Sequence, residues 1–191
     1  MKEFYFSDHE FKNTDASELQ KGEYEHCIFR QANFEYADLS GFRFNNCRFI
    51  LCNLSLARLS GTIFSDVVFD ECKMLGLHFD QCNQLALSVA FHSCLLHNAV
   101  FYKTSLKKTL FTNSKLMEAD FSECNLSGAV FTGCDLSGAV FDHTNLEKAD
   151  LRSSVNYSIN PAVNRLKKAK FSLSGLPGLL DALDIEIDRN D

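Results

Sequence analysis

Residues 119–138 read Ala-Asp-Phe-Ser-Glu, Cys-Asn-Leu-Ser-Gly, Ala-Val-Phe-Thr-Gly and Cys-Asp-Leu-Ser-Gly, four pentapeptides in which Phe121, Leu126, Phe131 and Leu136 hold the same place. Followed backward, the same beat gives Leu116, Phe111, Leu106, Phe101, Leu96 and Phe91; followed forward, it gives Phe141, Leu146 and Leu151. An earlier run keeps it without exception: Leu19, Tyr24, Phe29, Phe34, Leu39, Phe44, Phe49, Leu54, Leu59, Phe64, Phe69, Met74 and Phe79. A spacing of five fits neither the 3.6 residues of an α-helical turn nor the alternation of a long strand. An internal repeat therefore decides the fold.

Each pentapeptide supplies a large apolar centre and, two residues before it, a small residue such as Ala119, Cys124, Ala129 or Cys134. Residues two apart on a strand point the same way, so both face inward and the residue between them faces out. The remaining two are corner residues, as in Ser127-Gly128 and Thr132-Gly133, where Gly suits positive φ. A chain that bends the same way every five residues winds into a coil. From Phe91 to Leu146 the centres alternate Phe and Leu, so the true period is ten. If like stacks on like, a coil has an even number of sides, and four is the smallest number that encloses an interior. The expected fold is all-β, a four-sided β-helix of about eight coils with 20 residues each, its walls spaced by roughly 4.8 Å per coil. Phe91, Phe111 and Phe131 are expected in one core column and Phe101, Phe121 and Phe141 on the opposite wall, as offset stacks. Fourteen of the 18 Phe are centres, so the aromatics are mostly core.

The beat fails in three places. From Phe79 to Phe91 there are two residues too many; Cys82 keeps the old phase and Val89 opens the new one, so the excess lies in 83–88, as a bulge with Leu85 or Leu87 as filler. Phe6 and Phe11 follow another phase, and residues 1–18 are expected to form an N-terminal cap to a β-helix over 19–171. Residues 172–191 are expected to hold a short helix opened by Ser174-Gly175-Leu176-Pro177, with Leu176, Leu179, Leu180 and Leu183 at helical spacing, then a strand with Ile185 and Ile187 on one face, then an acidic tail. A β-helix must cover its open end. These six apolar residues exceed what a cap needs, so they are also the candidate interface of a homodimer.

Composition limits function. Net charge is −6, and the start of the chain has no uninterrupted apolar stretch, so direct nucleic-acid binding, a membrane span and a signal peptide are not expected, and a cytoplasmic location is. Charge is uneven: residues 1–80 hold 13 acids and 8 bases, residues 81–150 hold 7 and 5, and residues 151–191 hold 5 and 6. Lys103, Lys107, Lys108 and Lys115 form a cluster best read as a solvated face. The eight cysteines, Cys27, Cys47, Cys52, Cys72, Cys82, Cys94, Cys124 and Cys134, all fall in the small slot, form no Cys-x-x-Cys pair and read as small buried apolar residues with free thiols. His92 and His97 follow centres, lack partners at ligand spacing and read as solvated. No phosphate loop, zinc-protease signature or nucleophile elbow occurs. No catalytic, cofactor-binding or metal-binding residue is therefore expected, and an enzyme is not.

At 119–123, 124–128 and 134–138 the chain resembles the pentapeptide-repeat family, whose pattern is A(D/N)Lxx, and the resemblance covers roughly residues 19–171. It implies a right-handed quadrilateral β-helix. The interruption after Phe79, together with Lys170-Phe171, Leu179-Leu180 and the 183–187 segment, is similar to the members of the Qnr and MfpA types, which protect DNA gyrase and topoisomerase IV. That similarity implies a non-catalytic rod, dimerised through its C-terminus over roughly 70–80 Å, that mimics the shape of DNA and binds a type II topoisomerase. The alternative is an interaction scaffold for an unrelated partner. The acidic rows that mimicry asks for are not found at 20-residue spacing: Asp120 lies between Val100 and Val140, and Asp135 between Lys115 and Val155. A continuous negative face would favour the mimic, a mixed face the scaffold.

Overall fold

The computed structural model describes residues 4–188. They form an all-parallel β-solenoid with four walls. The first wall is a four-stranded sheet of β1 (Phe4–Ser7), β3 (Gly22–Glu25), β5 (Arg43–Asn45) and β7 (Ile63–Ser65). The second is a seven-stranded sheet of β2 (Glu10–Lys12), β4 (Ile28–Arg30), β6 (Arg48–Ile50), β8 (Val67–Asp70), β9 (Val89–His92), β10 (Leu110–Thr112) and β11 (Val130–Thr132). The third and fourth walls are held by single bridges, such as Asn33 to Asn53 to Lys73 and Val100 to Asp120 to Val140. Strands this short follow from the repeat, because only three of every five residues are extended before the next corner.

Seven strands in the second wall span six turns of continuous ladder, fewer than the eight coils expected. Past Thr132 that wall runs on only through the bridges Val130 to Asp150 and Asp150 to Lys170. The corners carry positive φ not only at Gly41 and Gly128 but at Leu51, Leu56, Lys108 and Lys148. Left-handed backbone costs an L-residue about 1–2 kcal/mol, which the inter-coil ladder offsets.

Every centre from Tyr24 to Leu151 is buried. Phe111 stacks on Phe91 at 5.1 Å and on Phe131 at 4.7 Å; Phe121 stacks on Phe101 at 5.0 Å and on Phe141 at 5.3 Å. The two columns meet edge to face across the core, with Phe111 and Phe121 6.0 Å apart at 88°. Two further features stood outside the sequence pattern. Phe6 stacks on Tyr24 at 5.0 Å and Phe11 on Phe29 at 4.9 Å, so the segment expected as a cap lays two strands on the same walls. Its first coil is short by two residues because a 3-10 turn, Ala16–Glu18, replaces one side; residues 1–3 lie outside the described part.

The longer coil lies at 83–88. Asn83 N still donates to Thr62 O, 21 residues back as in the regular coils (Ile63 N to Phe42 O, Val68 N to Cys47 O), whereas Phe69 pairs with Phe91 and His78 with Val100, at 22 and not 20. Leu87 packs against the core, and Leu85 points fully into solvent at 100% exposure. Gln84 Nε2 ties the bulge down on the carbonyls of Phe79, Asp80 and Cys82.

At the other end the expected short helix is present as a 3-10 helix, and the expected strand is not formed. Leu173–Leu179 and Asp181–Leu183 are 3-10 turns, and described residues 184–188 form no strand. Pro177 removes a donor, and Gly175 and Gly178 lie so close to Tyr157 that a Cβ would come within 1.9 Å of its Oη and 2.0 Å of its backbone O. Seating on Tyr157, and not helical propensity, shapes this segment. Residues 189–191, the end of the expected acidic tail, lie outside the described part.

Candidate interaction surface

The small slot proves to be polar in function. Cys47 Sγ donates to Tyr24 O at 3.2 Å, Cys52 to Phe29 O at 3.3 Å and Cys72 to Phe49 O at 3.4 Å. Thr62 Oγ1 does the same to Leu39 O, Thr144 Oγ1 to Phe121 O and Ser154 Oγ to Phe131 O, each at 2.8 Å, and Asn164 Nδ2 to Phe141 O at 2.9 Å. In each case the acceptor is the carbonyl of a centre 23 residues earlier, a buried group that needs a partner. The cysteines are therefore weak donors and not merely apolar filler. The sequence signal was present, since Thr and Ser share the slot with Cys, but size alone had explained them.

All eight thiols are free and buried. Burial pushes the Cys47 thiol up to about 12 and the Cys134 thiol up to about 11. Because the thiolate is the reactive form, none of the eight is expected to react with a thiol reagent at pH 8 in the folded protein, and all are expected to react in denaturant. Rapid native titration of even one equivalent would contradict this.

The remaining candidates are distributed as follows. Lys115 lies on the third wall and Lys103 pairs with Glu123 at 3.4 Å, so only Lys107 and Lys108 of the lysine cluster share a surface, the first wall. His97 is half-buried with its Nε2 shielded and unpartnered, not solvated as its position suggested. Among the described residues no group of three or more His, Cys, Asp or Glu could hold a metal ion, and no helix is long and apolar enough to cross a membrane. A cleft of about 350 Å³ between the last coil and the terminal turns is lined by Ser154, Asn156, Tyr157, Gly175 and Asp181 among others, and Tyr157 Oη is buried there without a partner. Among the described residues that line it, Asp181 and Tyr157 are the ionisable ones.

At the C-terminal end Leu176, Leu183, Ile185 and Ile187 are exposed, as is Leu173, which the helical spacing had missed; Leu179 packs against the core and Leu180 is half-buried. This leaves five large apolar side chains uncovered near this end of the single chain. Along the rod, charges pair from coil to coil. Glu10 meets Arg30 at 3.0 Å, Asp38 meets Arg58 at 3.0 Å, Asp70 meets Arg48 at 3.6 Å and Glu147 meets Arg165 at 2.8 Å. Pairs of opposite sign thus recur on the first, second and fourth walls, and exposed pairs of this kind add little stability.

Two family models match, pentapeptide repeats in eight copies over residues 114–155 and a pentapeptide repeat region over residues 42–120. No curated protein matches the chain. Among solved structures, a trypsin-treated form of QnrB1, a plasmid-mediated fluoroquinolone resistance protein, is similar at a TM-score of 0.55 and 18% identity, over 98% of this chain and 100% of that one. HetL, a protein involved in heterocyst differentiation regulation from the cyanobacterium Nostoc sp. strain PCC 7120, is similar at a TM-score of 0.51 and 18% identity, over 87% of this chain and 73% of that one. At these identities the likeness is one of fold. With four walls built from five-residue units and both models matched, the chain belongs to the pentapeptide-repeat family.

Proposed function

We propose that this protein is a non-catalytic β-helix that binds other proteins as an interaction scaffold. The acid–base pairs between successive coils carry this reading, because a mimic of the DNA backbone needs negative charge repeated along the whole of a face. The eight unpaired thiols support a reducing, cytoplasmic setting. A second reading rests on shape: a rod with the fold of a fluoroquinolone resistance protein engages DNA gyrase or topoisomerase IV and protects it from inhibitors.

A gyrase supercoiling assay with and without a fluoroquinolone separates the two. The scaffold reading expects no change at a large molar excess of protein. Protection from the drug, or inhibition of supercoiling, would replace it with the topoisomerase reading.

The proposal includes end-to-end pairing through Leu176, Leu179, Leu180, Leu183, Ile185 and Ile187, supported by the exposure of four of them. Leu183→Asp together with Ile185→Asp is expected to lower the mass measured in solution, and an unchanged mass would refute the pairing.

A further inference from the structure

The first wall has an electrical asymmetry that its sequence order hides. Along its edge with the second wall runs a column of corner residues, one per coil: Asp8, His26, Asn46, Asp66, then Ser88 in the bulge, then Lys108, Gly128, Lys148 and Lys168. The column is recognisable because all of these except Ser88 have positive φ. On the early side of the bulge the wall and this edge hold Asp8, Glu23, Glu25 and Asp66 against a single cation, Arg43, which lies 3.8 Å from Glu23. On the late side they hold Lys107, Lys108, Lys148, Arg165, Lys167 and Lys168 against a single acid, Glu147. Leu85, the fully exposed residue, stands between the two halves, with four members of the corner column on either side.

An acidic half, a central apolar residue and a basic half are complementary to their own image turned end for end. A two-fold axis through Leu85, parallel to the strands, keeps this edge against the same edge of the second copy and reverses the order of coils. It sets Asp8 against Lys168, Asp66 against Lys108, Ser65 against Lys107 and Leu85 against its counterpart. The one like-charge encounter, Glu25 with Glu147, is relieved because Glu147 is already held by Arg165 at 2.8 Å. We infer that the first wall is a self-recognition surface, on which a second copy of this chain docks antiparallel and side by side around Leu85. Self-association of this kind satisfies the isologous geometry that a closed dimer requires. A wall roughly 38 Å long and 12 Å wide buries roughly 900 Å² over both copies, at the low end for specific contacts, so the pairing is weak and salt-sensitive. It is distinct from pairing through the terminal leucines, which needs no charge on the wall.

Because all native cysteines are buried, Leu85→Cys introduces the one exposed thiol among the described residues, and a short bis-maleimide reports whether two copies of it meet. We expect a covalent dimer from L85C at micromolar concentration. In the L85C background, Lys107→Glu/Lys108→Glu/Lys168→Glu is expected to lower its yield about tenfold or more, as is Asp8→Lys/Glu25→Lys/Asp66→Lys. Mixing these two variants restores the yield, since Asp8→Lys of one copy then meets Lys168→Glu of the other and Asp66→Lys meets Lys108→Glu. Raising salt to about 0.5 M lowers the wild-type wall yield in the same way. No covalent dimer from L85C, a yield indifferent to charge reversal, or failure of the mixture to restore it overturns the inference. End-to-end pairing, present or absent, changes none of these outcomes, because it does not bring two Leu85 positions together.

Discussion

Phe111→Ala is expected to lower the unfolding free energy by about 3–5 kcal/mol, measured by urea denaturation, as befits deletion of a fully buried ring. The ring of Phe111 has stacked neighbours on both sides, Phe91 at 5.1 Å and Phe131 at 4.7 Å, and edge contacts with Phe101 and Phe121 at 6.2 Å and 6.0 Å. Removing it leaves a void bounded by rings that the backbone ladder holds in place, so collapse cannot fill it. The matching change at Phe141 is expected to cost clearly less. That ring is 6% exposed and stacks on only one neighbour, Phe121 at 5.3 Å. Equal losses at the two sites would show that the column does not act as a stack.

The second large effect concerns spacing. A single Gly inserted between Ser122 and Glu123 is expected to unfold the coils that follow, with a loss of about 4 kcal/mol or more. At this corner Glu123 N donates to Asp142 O at 2.7 Å and Cys124 N to Phe121 O at 3.0 Å; an extra residue breaks both and throws Cys124 and Leu126 off the inward face. The same Gly placed between Leu85 and Ala86 is expected to cost about 0.5 kcal/mol, because Leu85 makes no packed contact and a slightly longer loop closes at little extra entropy. Urea melts of the two insertions, followed by far-UV circular dichroism, test the contrast. Similar losses at both sites would mean that the bulge is as tightly specified as a regular corner.

Much of this fold can be read from the chain, because one short periodic rule sets the direction of nearly every side chain. Phe and Leu alternation located the two aromatic columns, and the change of phase between Cys82 and Val89 located the longer coil. What escaped had causes the rule does not contain. Phe6 and Phe11 lie 18 residues before their stacking partners, so a search at multiples of five assigned them elsewhere. The terminal 3-10 turns are shaped by contact with Tyr157, a tertiary event that helical spacing of leucines does not report. Slot residues such as Thr62 and Cys72 were legible as small but not as donors, since their acceptor carbonyls come into reach only when coils stack. The surface was half legible. Pairs such as Asp38 with Arg58 stand 20 apart and could have been read by subtraction, but the opposed halves of the first wall appear only once each residue is assigned to a wall.

The small-slot donors also give the solenoid a direction. Thr62, Thr144, Ser154 and Asn164 each reach back to a carbonyl in the coil already laid down, never forward to the next. During synthesis on the ribosome, each emerging coil thus completes the hydrogen bonding of its predecessor as soon as it leaves the exit tunnel. Assembly can advance like a zipper from the amino terminus at the pace of translation, and the growing edge is the one place where buried carbonyls still await their donors.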